Sequence, residues 1–111
     1  MVTSTLTQEI TRLHADLCSA LADPNRLLLL YALSEQPRNV HELAQELNVL
    51  QATVSRHLKV LRESGLVDAT RQGTSIQYEL TDHRVIDALD LLRSILRDRI
   101  QHRASLIVGS E

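Results

Sequence analysis

The segment Gln51-Ala52-Thr53-Val54-Ser55-Arg56-His57-Leu58-Lys59 gathers the side chains of this sequence best suited to recognising another molecule. If Val54, Leu58 and Leu61 form the inward stripe of a helix, then Gln51, Thr53, Ser55, Arg56 and Lys59 fall on or near its outward faces. Small polar groups near a helix N-terminus can approach base edges, and cations can meet phosphate. Glutamine matches adenine, arginine matches guanine, and serine or threonine suits a base or a phosphate. Between 51 and 71, Arg56, Lys59, Arg62 and Arg71 outnumber Glu63 and Asp68, a local positive surplus on a chain of net charge −2. Further on, Arg71-Gln72-Gly73-Thr74 offers a cation and a flexible glycine at a turn, suited to a minor groove or its phosphates. Taken singly, these segments also describe a solvated helix and a solvent turn. The elements around them decide.

Other reactive side chains are sparse. Cys18 follows His14 by four residues, and with His41 the two could form a mixed Cys/His metal site. A lone thiol can be oxidised to a sulfenic acid, a mixed disulfide or an inter-subunit bridge. A lone cysteine is more often a small buried residue, and that is the expectation for Cys18. No GxSxG, Walker loop, HExxH or glycine-rich cradle is present, and Gly65, Gly73 and Gly109 are the only glycines. The Cys18/His14 pair has no oxyanion site beside it, so the sequence reads as a non-enzyme.

The elements follow from periodicity. Leu6, Ile10, Leu13, Leu17 and Leu21 form a helical stripe over 5–22, with Thr5 and Gln8 as a candidate capping box. Asp23-Pro24 restarts a helix over about 24–35, apolar nearly all round and therefore central. Asn39 caps a short helix over 40–47, Asn48-Val49-Leu50 is a three-residue turn, and a helix over about 51–64 ends at Gly65. The period then becomes two. Leu66–Arg71 and the alternation of Ile76, Tyr78 and Leu80 predict a hairpin with Gln72-Gly73-Thr74 at its tip. A last helix over about 83–103 carries Val85, Leu89, Leu92, Leu96 and Ile100, widened by Ile86 and Ile95, with a frayed tail from Leu106. The fold class is thus mainly helical with one hairpin, a helix-turn-helix followed by a wing. Together the helix pair, the tight turn and the Arg-bearing tip favour DNA over a solvated face. The first and last helices carry more apolar surface than one small domain covers, which calls for a second copy.

Composition sets the outer bounds. The 111 residues allow one domain, with its core over about 5–103, and folding at this size buries roughly two-thirds of the unfolded surface. Hydrophobic residues are 43% and charged residues 23%, a globular balance. A single cysteine excludes a disulfide framework and a Cys-only zinc site within one chain. The longest apolar run, Leu27–Leu33, is far short of the ~20 residues of a membrane helix. The N-terminus lacks the basic and apolar regions of a signal peptide, so a cytoplasmic location is expected. Phe and Trp are absent, and Tyr31 and Tyr78 are the only aromatics, which disfavours base-stacking modules.

LADPNRLLLLYAL, then VHELAQELNVLQATVSRHLKVLRESGLV, then the hairpin at 71–73 and Tyr78-Glu79-Leu80, resemble the ArsR/SmtB family of bacterial winged-helix repressors over about residues 10–102. The resemblance implies a homodimer joined by its first and last helices, operator binding by the fourth helix, and release by a metal or another signal. On the residue chemistry above, Gln51, Thr53, Ser55 and Arg56 are the candidates for bases and nearby phosphate and Lys59, Arg71 and Gly73 for phosphate and wing contact, while the resemblance makes His57 a helix or phosphate-contact residue. At the turn this chain departs from the family, with Leu50 where Ser or Thr usually caps the recognition helix. The thiolate positions of the arsenic and cadmium sensors read Asn39 and His41 here. The positions of the zinc and cobalt site read Asp82, Arg84, Ile95 and Asp98, so two carboxylates remain and both imidazoles are gone. Arg84 beside Asp82 suits an ion pair better than a metal. A shifted site from Asp82, His83, Asp98 and His102 across a dimer is a further option, as is redox chemistry at Cys18. A divalent metal effector, a thiol oxidant and no effector all stay open. The expected partners are an inverted-repeat DNA operator and a second copy, with no membrane. The rival is a winged-helix module that binds protein instead of DNA.

Overall fold

The computed structural model describes residues 4–109. The chain runs through α1 (Ser4–Glu9), a π-helical segment (Ile10–His14), α2 (Ala15–Ala20), α3 (Pro24–Glu35), α4 (Val40–Leu47), α5 (Gln51–Glu63), β1 (Val67–Gln72), β2 (Ser75–Leu80) and α6 (Arg84–Gly109). The apolar central helix, α3, holds the core. Its Leu29, Leu30 and Leu33 pack with Leu43 of α4, with Val54, Leu58 and Leu61 of α5, and with Val67, Leu80 and Leu89.

Local chemistry sets the element ends. Asp23 accepts the Asn25 N–H at 2.8 Å, and Pro24 occupies the first helical position of α3, where its missing N–H costs nothing. Asn39 and Glu42 form the expected capping box, with Glu42 N–H donating to Asn39 Oδ1 at 2.8 Å and Asn39 N–H to Glu42 Oε1 at 3.0 Å. Such a cap contributes about 1 kcal/mol. α4 ends at Asn48 in the left-handed region, φ 54° and ψ 49°. There Val49 N–H reaches Ala44 O at 3.0 Å and Asn48 N–H reaches Gln45 O at 3.3 Å, the Schellman pattern. α5 repeats it at Gly65, φ 78°, with Leu66 N–H on Leu61 O at 2.9 Å and Gly65 N–H on Arg62 O at 3.0 Å. The two stops fix a tight turn between α4 and α5 and a sharp exit into the hairpin.

β1 and β2 pair antiparallel from Val67↔Leu80 to Gln72↔Ser75. The loop is the two residues Gly73-Thr74, one fewer than the sequence suggests. Gly73 has φ 63° and Thr74 does not share the positive φ, the requirement of a type II′ turn. Behind the tip, Tyr78 N–H donates to Arg38 O at 2.8 Å and Arg38 N–H to Tyr78 O at 3.0 Å, which ties the hairpin to the α3–α4 connection.

Two helices depart from expectation. The first stripe is not one regular helix, because the π-helical segment inserts at Ile10–His14 and rotates the residues beyond it about the axis. Leu6, Ile10 and Leu13 are exposed, and Ala20 is the first buried residue of the chain's described part. Cys18 is accordingly exposed in the single chain, not buried as expected, because α2 stands clear of the core until its last turn. At the other end, α6 does not fray at Leu106. Residues 103–108 contain no breaker, and the helix continues to Gly109, with Leu106 and Ile107 exposed on it. At 26 residues α6 is about 39 Å long, and Leu89 is its one buried residue among those described. The radius of gyration is 17.6 Å, against roughly 13 Å for a compact chain of this length. No helix among the described residues is long and apolar enough to cross a membrane.

Candidate nucleic-acid interface

α5 presents two faces. Val54, Leu58 and Leu61 are buried to 1% or less. Gln51, Ser55, Arg56 and Lys59 are exposed, and Thr53 is half-buried at their edge. Gln51, Ser55, Lys59 and Arg62 succeed one another at helical spacing, so they form one ridge. That ridge borders the hairpin. Ser55, Lys59, Arg62, Glu63 and Tyr78 line a crevice of about 490 Å³ between α5 and β2. Arg62 and Tyr78 belong to this surface although neither is among the binding residues expected from the sequence. The i, i+3 step from Lys59 to Arg62 was the available signal for the first. For Tyr78 only the folded register of the hairpin shows it.

Within the surface, two contacts orient the polar groups. Arg56 Nη2 donates to Thr53 Oγ1 at 3.2 Å. Gln51 Nε2 lies 3.0 Å from His41 Nδ1, so a residue of α4 holds the first residue of α5. Leu50 supplies no side-chain cap, as its type dictates, and α5 begins at Gln51 with no shift. Its first N–H groups therefore stay open at the positive end of the helix dipole. Arg71 and Gly73 are both exposed on the hairpin, and a Cβ at Gly73 would meet nothing within 4 Å. Glycine is required there by its φ and not by lack of room.

His57 lies elsewhere. Its side chain is 15% exposed and turns toward Asp23 and Arg26 at the α2–α3 corner. Of the two roles the resemblance gave it, helix residue or phosphate contact, this inward orientation favours the first. Arg56 and Lys59 point outward on either side of it, and His57 between them points in.

The effector candidates are dispersed. Among the described residues no three of His, Cys, Asp and Glu gather to hold a metal ion. The mixed group of Cys18, His14 and His41 is therefore not assembled within the chain. Asp82 lies two residues before α6 and Asp98 about four helical turns into it, roughly 20 Å along the axis from the helix start. Asp82 is also occupied. It accepts Arg84 N–H at 2.9 Å and, through both carboxylate oxygens, Arg84 Nε and Nη2 at 2.7–3.1 Å. These side-chain bonds, then the backbone bond, lower its pKa to about 2 from 3.8. The stabilisation is present above 3.8 and is lost as pH falls through about 2. We expect the Asp82 carboxyl, followed by carbon NMR, to titrate near 2 and to return toward 3.8 in Arg84→Ala. An unchanged midpoint in that variant would refute the pair.

A second polar group ties α6 to the core. Tyr31 of α3 donates its hydroxyl to Asp90 at 2.7 Å, Arg93 pairs with Asp90 at 3.0 Å, and the Arg93 guanidinium sits 5.0 Å from the Tyr31 ring centroid. The Asp90 carboxyl is held below its ordinary range by Tyr31 first and Arg93 second. Burial, then the Asp90 bond, raises Tyr31. Spacing along the chain carries no hint of this contact between residues 31 and 90.

A helix pair joined by a tight turn, its second helix polar outward, and a hairpin packed beside that helix define a winged helix-turn-helix protein. Comparison with known proteins agrees. The family model "Bacterial regulatory protein, arsR family" matches residues 23–69. The biofilm growth-associated repressor of Xylella fastidiosa is 38% identical over 81 residues, covering 73% of this chain and 71% of that one. The HTH-type transcriptional repressor SmtB of Mycobacterium tuberculosis is 41% identical over 86 residues, covering 74% of this chain. This chain spans 64% of that repressor's length. A homodimeric winged helix-turn-helix DNA-binding domain from Mycobacterium bovis, solved by NMR, superposes with a TM-score of 0.77 at 27% identity, covering 90% of this chain and 93% of that one. The chain belongs to the ArsR family of bacterial regulatory proteins.

Proposed function

We propose that the chain is a transcriptional repressor that binds operator DNA as a homodimer. The observation that carries this reading is the exposed polar face of α5, the ridge of Gln51, Ser55 and Lys59 with Arg56 beside it, next to a hairpin that carries Arg71 on β1 just before its turn. Gln51, Thr53, Ser55 and Arg56 meet bases and nearby phosphate. Lys59, Arg71 and the hairpin turn at Gly73 meet phosphate. The open N-terminus of α5 adds backbone donors for a phosphate oxygen. Two copies place two such helices in successive major grooves, so the operator is an imperfect inverted repeat with half-sites about one helical turn apart or more.

The second copy is supported by the apolar surface that one chain leaves uncovered. Leu91, Leu92, Ile95, Leu96 and Ile100 of α6, and Leu6, Ile10 and Leu13 near the N-terminus, are all more than two-fifths exposed. Apolar surface in rows of this length is an association surface. The names of the two repressors and the homodimeric state of the Mycobacterium bovis domain support the same reading. The whole chain then acts as one domain, and its role is binding, with no catalytic step.

Replacing Arg56 by Ala is expected to weaken operator binding by about 1–3 kcal/mol and to relax preference at one position of each half-site. Anisotropy titration of the variant on operator and point-mutated operators reads both. Unchanged affinity in an intact dimer takes Arg56 out of the site. If the chain were a protein-binding module, replacing Arg56 and Lys59 together would leave its binding untouched.

For release, the dispersed metal candidates and the bidentate pair at Asp82 favour a non-standard effector. A divalent metal would have to displace Arg84 from Asp82 and recruit His83, Asp98 and His102 across two copies. Added zinc is therefore expected to leave the operator complex intact. If zinc dissociates the complex, and substitution of those four residues restores it, the metal reading is correct. Otherwise the exposed thiol of Cys18 is the residue with chemistry left to sense a signal.

A further inference from the structure

Arg26, in the first turn of α3, bridges three parts of the molecule. Its Nε donates to the carbonyl of Ala20 at 2.5 Å and its Nη2 to the carbonyl of Ser19 at 3.1 Å. These carbonyls close α2, where a helix leaves acceptors open and its dipole favours a cation. Its Nη1 lies 3.3 Å from His57 Nδ1 on the recognition helix. A guanidinium can only donate, so Nδ1 must offer its lone pair. Neutral His57 is then the Nε2–H tautomer, and Nε2 lies 3.9 Å from Asp23 Oδ1. The imidazole is 15% exposed, shielded from water that would compete for these bonds.

The tie matters because of how α5 is otherwise held. Leu50 gives it no side-chain cap. Apart from the Gln51–His41 contact at its first residue, its grip on the core is the apolar stripe of Val54, Leu58 and Leu61, and apolar contact is non-directional. A hydrogen bond to an imidazole is directional and weakens steeply with misalignment. Arg56, adjacent to His57, is the cation that meets the bases in the operator-binding reading.

We propose that Arg26 and His57 are positioning residues that fix the rotation of α5 about its axis against the end of α2, and so aim Ser55 and Arg56 into the groove. The proposal rests on the operator-binding reading and adds to it the device that sets specificity. Base contacts need the helix in register, whereas phosphate contacts tolerate a small rotation. Loss of the tie therefore lowers preference for operator more than it lowers affinity for DNA in general.

The test compares wild type, His57→Leu, His57→Asn and Arg26→Leu. Each is titrated on operator and on an unrelated duplex of equal length at one salt concentration, with a thermal melt of each protein. The imidazole nitrogens of wild type and Arg26→Leu are read by nitrogen NMR. His57→Leu is expected to lose about tenfold in operator affinity and to keep its affinity for the unrelated duplex. His57→Asn, whose amide oxygen can occupy the acceptor position of Nδ1, is expected to recover most of the loss. Wild-type His57 should show a single Nε2–H tautomer that becomes mixed in Arg26→Leu. The proposal is overturned by an unchanged operator preference in His57→Leu, by a fall on both duplexes in step with a lower melting temperature, or by a proton on Nδ1 in neutral wild type. If wild type itself shows no operator preference, the operator-binding reading fails. The nitrogen spectra then still decide whether Arg26 holds His57.

Discussion

Leu92→Arg is expected to give a folded monomer that no longer binds full operator tightly. Leu92 is 55% exposed in one chain, and it lies in a row with Ile95, Leu96 and Ile100 outside the core. An arginine there costs the single chain little, because its guanidinium stays in water and its methylenes cover the neighbouring leucines. In a two-fold assembly the same change places one unpaired cation on each copy against an apolar seam. Desolvating an unpaired charge costs on the order of 3–5 kcal/mol, which weakens association by two orders of magnitude or more. Sedimentation should show a monomer at concentrations where wild type is a dimer, with a helical circular dichroism spectrum retained. Operator affinity should fall in parallel, since one copy reads one half-site. A variant that remains dimeric places the seam elsewhere. A monomer that still binds full operator as tightly as wild type contradicts the two-fold account itself.

Leu58→Ala is expected to destabilise the protein by about 2–5 kcal/mol. Leu58 is fully buried, on the inner face of the recognition helix, within the cluster of Leu29, Leu33, Leu43, Val54 and Leu61. Truncation removes the transfer energy of its methyl groups and leaves a cavity that α3, α4 and the hairpin cannot all close. A domain of this size has roughly 5–15 kcal/mol in total, so this one change removes a large share. Urea unfolding should shift its midpoint to lower denaturant with the slope retained, at a fixed protein concentration because association adds to apparent stability. A loss under about 1 kcal/mol would mean that Leu58 is not in a packed core. The contrast with Leu92 is informative. Both are leucines on helices, and the first acts through folding while the second acts through association.

The parts of this fold legible in the sequence are those set by local chemistry. Asp23-Pro24, Asn39 with Glu42, Asn48 and Gly65 each act within a few residues, and each marks a helix end where expected. The stripe of Val54, Leu58 and Leu61 likewise identified the exposed face of α5, and with it Gln51, Ser55, Arg56 and Lys59. Asp82 and Arg84 are near neighbours, and their ion pair followed from that. The features hidden in the sequence depend on distance along the chain. His57 reads as one more polar residue of α5 until Arg26, 31 residues earlier, is placed beside it. Tyr31 and Asp90 are 59 residues apart. The leucine and isoleucine spacing over 6–21 matched a regular helix, because a π-helical turn changes rotation without changing residue type. The extent of α6 was underestimated because exposed apolar residues near a chain end resemble a frayed tail. On a helix that a partner covers, they are its continuation.

The most direct measurement is fluorescence anisotropy of the wild-type protein titrated onto labelled DNA from upstream of its own coding sequence, with an unrelated duplex as competitor, over a series of salt concentrations. The account predicts saturable binding of two copies per inverted repeat. Affinity should fall steeply with salt as phosphate contacts release counterions, and the unrelated duplex should compete only weakly. Binding that the unrelated duplex displaces equally well, or that survives replacement of both Arg56 and Lys59, would contradict it.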